Sequence, residues 1–164
     1  SILLKDGPVN KYKVMKVFLM REWKMSEDQA DVFLSNPANR SITSEKYNIP
    51  NPLSKNKATI MHYVAYYKEI PIDVVKEFLV QCPVLYGQDV QGNTPLNVAT
   101  KSQRKKKFEV GIEICYAMSR DSGHKEYINL INDFLLPLKS ILSKVVIFGK
   151  KLATSEIFIF SLIK

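Results

Sequence analysis

The chain has 164 residues, 46% of them hydrophobic and 24% charged, with a formal net charge of +8. A single domain of this length buries roughly 70% of its unfolded surface, and the composition excludes a disordered, collagen-like or disulfide-stapled class. The positive surplus admits an acidic protein, a nucleic acid or an anionic membrane as partner without choosing among them.

Between Val9 and Trp23 the residues Tyr12, Met15, Phe18, Leu19 and Trp23 recur every three or four positions, which predicts a helix over about 9–24. Ser26 followed by Gln29 is a capping-box pattern ahead of Ala30, Phe33 and Leu34, so a second, short helix is expected to end near Asn36-Pro37. From Asn36 to Lys57 the chain turns to Asn, Ser, Lys and Pro. Pro37, Pro50 and Pro52 each remove a backbone donor and disfavour helix before them, and a long loop over 36–57 is predicted. Nothing marks a domain boundary, so residues 1–164 read as one domain.

Two later stretches resemble one another. The second runs Asp89-Val90-Gln91-Gly92-Asn93-Thr94-Pro95-Leu96-Asn97-Val98-Ala99; the first, Thr59-Ile60-Met61-His62-Tyr63-Val64-Ala65, shares its Thr and has its Ala one place later. Thr59 and Thr94 lie 35 residues apart. Each residue type has a local reason to be there. Gly92 supplies the positive φ of a tight turn, Thr94 caps the helix it precedes, and Pro95 suits the first helical position, where its missing N–H costs nothing. Val74, Val75, Phe78 and Leu79 share one helical face. A helix that starts at Pro95 should stop near Gln103. Phe108, Ile112, Cys115 and Tyr116 form the stripe of another, ending at Gly123. Residues 125–136, 138–148 and 155–163 read as further helices, with Pro137 dividing the first two.

The second stretch resembles the ankyrin-repeat opening D-x-x-G-x-T-P-L-H-x-A, departing at Asn97 where the family has His; the first keeps Thr59 and His62 of it, with Ala65 one place beyond the family's Ala. The spacing is near the family's period of about 33 residues. The resemblance covers about residues 54–122. It implies an all-α helical-repeat solenoid with short β-hairpin tips at Val90–Asn93 and Asn56–Ala58. Because repeats need neighbours to bury their faces, residues 1–35 and 125–164 are expected to act as caps. The extra two residues are expected near Glu69-Ile70-Pro71, between the two helices of the first repeat.

No Gly-rich phosphate loop, CxxC pair or HExxH sequence is present, so no cofactor, metal or catalytic residue is expected. His62 stands at a position where the resemblance implies a structural hydrogen bond between repeats. His124 and Cys115 are a conceivable base and nucleophile, with nothing nearby to orient them. Both thiols, Cys82 and Cys115, stand among apolar neighbours and read as reduced, buried hydrophobes. With no secretory-signal pattern at the start, a cytoplasmic location is expected. Glu109, Glu113, Asp121, Glu126 and Asp133 are dispersed among lysines and read as solvated.

The densest charge cluster is Lys101, Arg104, Lys105, Lys106 and Lys107, expected on a solvated, projecting turn. It lacks the interleaved aromatics of a single-strand groove, which argues against nucleic acid. The apolar segment 138–163, interrupted by Lys139, Lys144, Lys150 and Lys151, is expected to pack as helices, with a membrane-surface helix as the rival.

The expected function is to bind another protein, an acidic one matching the chain's charge, with no small-molecule substrate. The family resemblance maps the contact surface onto Lys55, Asn56, Ala58, Tyr66 and Tyr67, then Val90, Gln91, Asn93, Lys101 and Ser102. Tyr66 and Tyr67 are the expected hot spots, since tyrosine offers large contact area at low entropic cost; their alternative role is packing under the 36–57 loop. Other classes stay open: the targeting module of a larger enzyme, or a bacterial effector acting on a host protein, to which the Lys/Asn/Ile-rich composition points.

Overall fold

A computed structural model describes residues 2–81, 83–104 and 107–122. These residues are helical, with no strand among them. After a short 3-10 turn at Ile2–Leu4 come α1 (Lys11–Glu22), α2 (Glu27–Ser35), a 3-10 turn at Pro37–Arg40 and α3 (Glu45–Asn48). Then follow α4 (Ile60–Tyr66), α5 (Ile72–Val80), α6 (Pro95–Lys101) and α7 (Lys107–Ser122).

Helix α1 is shorter than the predicted 9–24 because Asn10 caps it, its side chain accepting from Lys13 N at 3.0 Å. Met15, Phe18 and Leu19 are buried as their spacing requires. Tyr12 is not part of that stripe. It stays partly exposed, and its hydroxyl donates to Asp31 at 2.8 Å, while Lys16 bridges Asp31 and Glu27; these bonds tie α1 to α2. The Ser26–Gln29 capping box forms in both directions, at 3.1 and 2.8 Å.

The expected loop 36–57 is a structured strap. Ile42 and Tyr47 are fully buried, Tyr47 facing Phe18 with ring centroids 5.9 Å apart. Asn48 donates to Ile42 O and Ser44 O and accepts from Val84 N, so one side chain holds the strap to a distant segment. Trp23 donates through Nε1 to Lys46 O, and the Lys46 ammonium lies 4.1 Å from the Trp23 ring centroid and 5.2 Å from that of Phe33. Two isolated apolar residues among prolines and amides leave no periodic signal, although each is anchored in the core.

The remaining helices form two pairs. Helix α4 packs on α5 and α6 packs on α7, while α4 faces α6 and α5 faces α7. Corresponding helices start 35 residues apart, at Ile60 and Pro95 and again at Ile72 and Lys107. Helix α6 stops at Lys101, two residues before the expected end. Val74, Val75, Phe78 and Leu79 are buried together, as are Ile112 and Cys115 of α7, with Tyr116 half-buried. The expected roles of Cys82, the Phe108 side chain, Gly123 and everything in 125–164 lie outside the described residues.

Candidate functional site

The site is built on two tight turns that precede α4 and α6. In the second, Asp89 Oδ1 accepts from Gln91 N and Asn93 N, both at 2.9 Å, and Gly92 donates to Asp89 O with a φ of 78°. In the first, Ser54 Oγ accepts from Asn56 N and Lys57 N, and Lys57 takes the left-handed φ of 50°. Val90 N donates to Asn56 O at 2.9 Å and joins the two turns. No ladder extends from this bond, so among the described residues the tips are turns rather than strands.

The helix starts match as well. Thr59 N donates to His62 Nδ1 at 3.0 Å, and Thr94 N donates to Asn97 Oδ1 at 2.9 Å. Because Nδ1 accepts from a backbone N–H, the His62 proton sits on Nε2, which donates to Asn93 O at 2.7 Å. Burial holds the imidazole below its ordinary range, against opposing contributions from the Asn93 bond, Asp89 and Glu22. A neutral His62 therefore buttons α4 to the second turn.

Beneath the first turn lies Glu22, fully buried at the end of α1. Its oxygens accept from Ser54 Oγ at 2.8 Å, Asn56 Nδ2 at 3.2 Å, Ala58 N at 3.0 Å and Tyr63 OH at 2.7 Å. No ion pair reaches Glu22 among the described residues. One acceptor group thus fixes the turn and the Tyr63 ring relative to α1, and the Tyr63 hydroxyl is pushed well above the usual phenol range by burial and by this bond.

Above these supports runs a groove of about 440 Å³. Asn56, Ala58, Tyr66 and Tyr67 line it from the first pair, and Val90, Gln91, Asn93 and Lys101 from the second. Tyr66 is 54% exposed and stands edge-on to Tyr67, with ring centroids 5.2 Å apart. Tyr67 is half-buried, against Tyr63 on one side and the Arg21 guanidinium, 5.3 Å from its centroid, on the other. Their ring partners are one another, Tyr63 and Arg21 rather than the 36–57 segment.

Two expected contact residues fall elsewhere. Lys55 is exposed but does not line the groove, and Ser102 is buried, donating through Oγ to Tyr66 O at 2.9 Å. Ala58 lines the groove while itself almost covered. Arg21, His62, Tyr63, Asp89 and Val98 join the lining without having been read as contact residues. Arg21 carries no motif in the sequence, and only the fold brings it near Tyr67.

The basic run is also corrected. Lys101 is exposed and bonds Asn93 Oδ1 at 2.9 Å. Arg104 does not project: Nη2 donates to Val64 O at 2.9 Å and Nη1 to Ile70 O, and desolvation lowers its pKa. With Ser102 it closes the carbonyl end of α4, where backbone acceptors lack helical partners. Lys105 and Lys106 lie outside the described residues, as does the Lys107 side chain.

Cys115 is buried and its thiol is pushed up to about 12, the wrong direction for a nucleophile; His124 lies outside the described residues. Among the described residues no cluster of His, Cys, Asp or Glu has the makings of a metal site, and no helix is long and apolar enough to cross a membrane. A scan against protein-family models, a search of curated proteins and a search of solved structures return no match to this chain.

Proposed function

We propose that this chain is an ankyrin-type helical-repeat module that binds another protein along the groove between its two turns and its inner helices, α4 and α6. The observation that carries the reading is the groove itself: an exposed tyrosine and a half-buried one, set beside two turns that buried hydrogen bonds hold rigid. Rigid aromatic anchors on a preorganised surface gain contact area while losing little entropy on binding. The family assignment draws further support from the 35-residue correspondence between Thr59 and Thr94, Ser54 and Asp89, and Lys57 and Gly92.

His62 and Asn97 differ in a way that suits this reading. Both accept from the preceding cap N–H, but only His62 has a second ring nitrogen that reaches the next turn. The first pair is followed by the second turn, and His62 Nε2 reaches that turn at Asn93 O.

Retention of partners from a lysate by the immobilised chain tests the reading when wild type is compared with Tyr66→Ala and with Val32→Ala on the distant α2 surface. Loss with Tyr66→Ala alone is the expected result. Equal retention by all three would remove the groove from consideration.

A further inference from the structure

Arg21 lines the groove with its guanidinium carbon 5.3 Å from the Tyr67 ring centroid, and it makes no hydrogen bond or ion pair to any described residue. A guanidinium is a planar fork of five donors, and with none of them used among the described residues two can bond a carboxylate together. The second cation of the groove, Lys101, is paired only with the neutral Asn93 amide oxygen. The one acidic residue of the lining, Asp89, has Oδ1 occupied by two backbone N–H groups. Glu22, adjacent in sequence to Arg21, is fully buried with four donors on its oxygens and offers Arg21 no acceptor. The lining thus carries two cations, from the separate elements α1 and α6, against one carboxylate, and its formal charge is positive.

Resting on the protein-binding reading above, we propose that the groove takes an extended acidic segment of the partner, with Arg21 as the specificity-determining residue that grips one side-chain carboxylate bidentately. Tyr67 holds the guanidinium in place beforehand, so little of its rotamer freedom remains to be lost on binding. Lys101 faces a second acidic residue farther along the segment. Two cations on different helices call for more than one negative group along the bound chain. Acidic side chains supply several, whereas a single chain terminus supplies one.

The test selects a random-peptide display library on the full chain and measures enriched peptides, acetylated and amidated at their ends, against wild type, Arg21→Gln, Arg21→Lys and Tyr66→Ala. Enriched peptides should carry Asp or Glu, and Arg21→Gln should weaken them about 10-fold or more, as expected for charge-assisted hydrogen bonds. Arg21→Lys keeps the charge and loses the fork, so it should recover only part of the affinity. Exchanging the peptide's acidic residue for its amide should abolish the difference between wild type and Arg21→Gln. Peptides that depend on Tyr66 yet tolerate Arg21→Gln, or carry no acid, would overturn the carboxylate assignment and leave the groove reading standing. Failure to enrich any peptide that depends on Tyr66 would count against both. Arg21 is exposed, so superimposable thermal melts of the variants are expected and separate binding from folding.

Discussion

The two helix pairs invert the relation between how recognisable a segment is and how much structure depends on it. The second pair, α6 and α7, opens with the more regular sequence, Gly92, Thr94 and Pro95 each in the conformation its chemistry favours. The first pair, α4 and α5, has Lys57, Thr59 and Ile60 at the corresponding places, yet it receives Glu22 from α1, His62's bridge to the second turn and the Arg104–Ser102 cap. Among the described residues the first pair meets α1, α3 and the second pair, and long-range bonds hold its geometry where its own sequence departs from the turn and cap rules. The second pair follows those rules.

This comparison is broken most severely at Glu22. Glu22→Ala leaves the Ser54 hydroxyl, the Asn56 amide, the Ala58 N–H and the Tyr63 hydroxyl without their acceptor, and unsatisfied buried donors cost about 1–3 kcal/mol each, not additively. A loss of about 3–5 kcal/mol is expected in urea unfolding, a large share of a typical domain's about 5–15 kcal/mol. Asn56→Ala, which removes one of the four donors, should cost far less. Equal small effects of both would mean that the first turn is held by its own residues.

Arg104 should come next. Arg104→Ala leaves the Val64 and Ile70 carbonyls uncapped and is expected to cost about 2 kcal/mol, while Lys101→Gln, in the same basic run, should stay within about 0.5 kcal/mol. Denaturation midpoints of the two variants check this. Similar values would return Arg104 to the role of a solvated charge.

Which parts of the molecule are legible before folding follows the same division. Ser26 with Gln29, Gly92, Thr94 and Pro95 act on neighbours within three residues, and their roles can be read from adjacent letters. Much of the groove follows from the resemblance, because its turns and inner helix carry recognisable residues. Arg21, Glu22 and Arg104 act across 32 to 46 residues, on Tyr67, Ser54 and Val64 among others, and a charged letter does not say which distant donor, acceptor or ring it meets. The burial of Ile42 and Tyr47 is hidden for a related reason, since single anchors lack a period.

His62 gives a smaller effect with a pH signature. Its folded pKa lies below the unfolded value near 6.5, chiefly through burial, so the unfolded chain binds the proton first as pH falls. Its contribution is therefore complete above about pH 6.5 and is lost as pH drops through the folded value. His62→Asn, which gives the first pair the residue of the second, should cost about 1–2 kcal/mol at neutral pH through loss of the Asn93 bond. It should also flatten the stability change between about pH 7 and pH 5 relative to wild type. An unchanged slope would assign the acid sensitivity to other groups.

The smallest effects come from the two turn residues that share a left-handed backbone, and they should have opposite signs. Gly92 has a φ of 78° and a methyl group added there would meet nothing within 4 Å, so Gly92→Ala reports the backbone conformation alone, with no steric clash. Left-handed geometry costs a residue with a Cβ about 1 kcal/mol, and Gly92→Ala should lose about that much. Lys57 already bears that strain at φ 50°, and its Oγ-anchored turn uses the backbone rather than the ammonium. Lys57→Gly should therefore gain stability, by about 0.5 kcal/mol once the greater freedom of glycine in the unfolded chain is subtracted. Thermal melts of the two single variants and of the double variant decide it. The turns lie 35 residues apart in sequence but are joined by the Val90–Asn56 bond, so a double variant that departs from the sum of the singles measures how strongly the two tips are coupled. Destabilisation by Lys57→Gly would show that the lysine side chain, and not the Ser54 hydroxyl and the backbone, holds the first turn in its left-handed form.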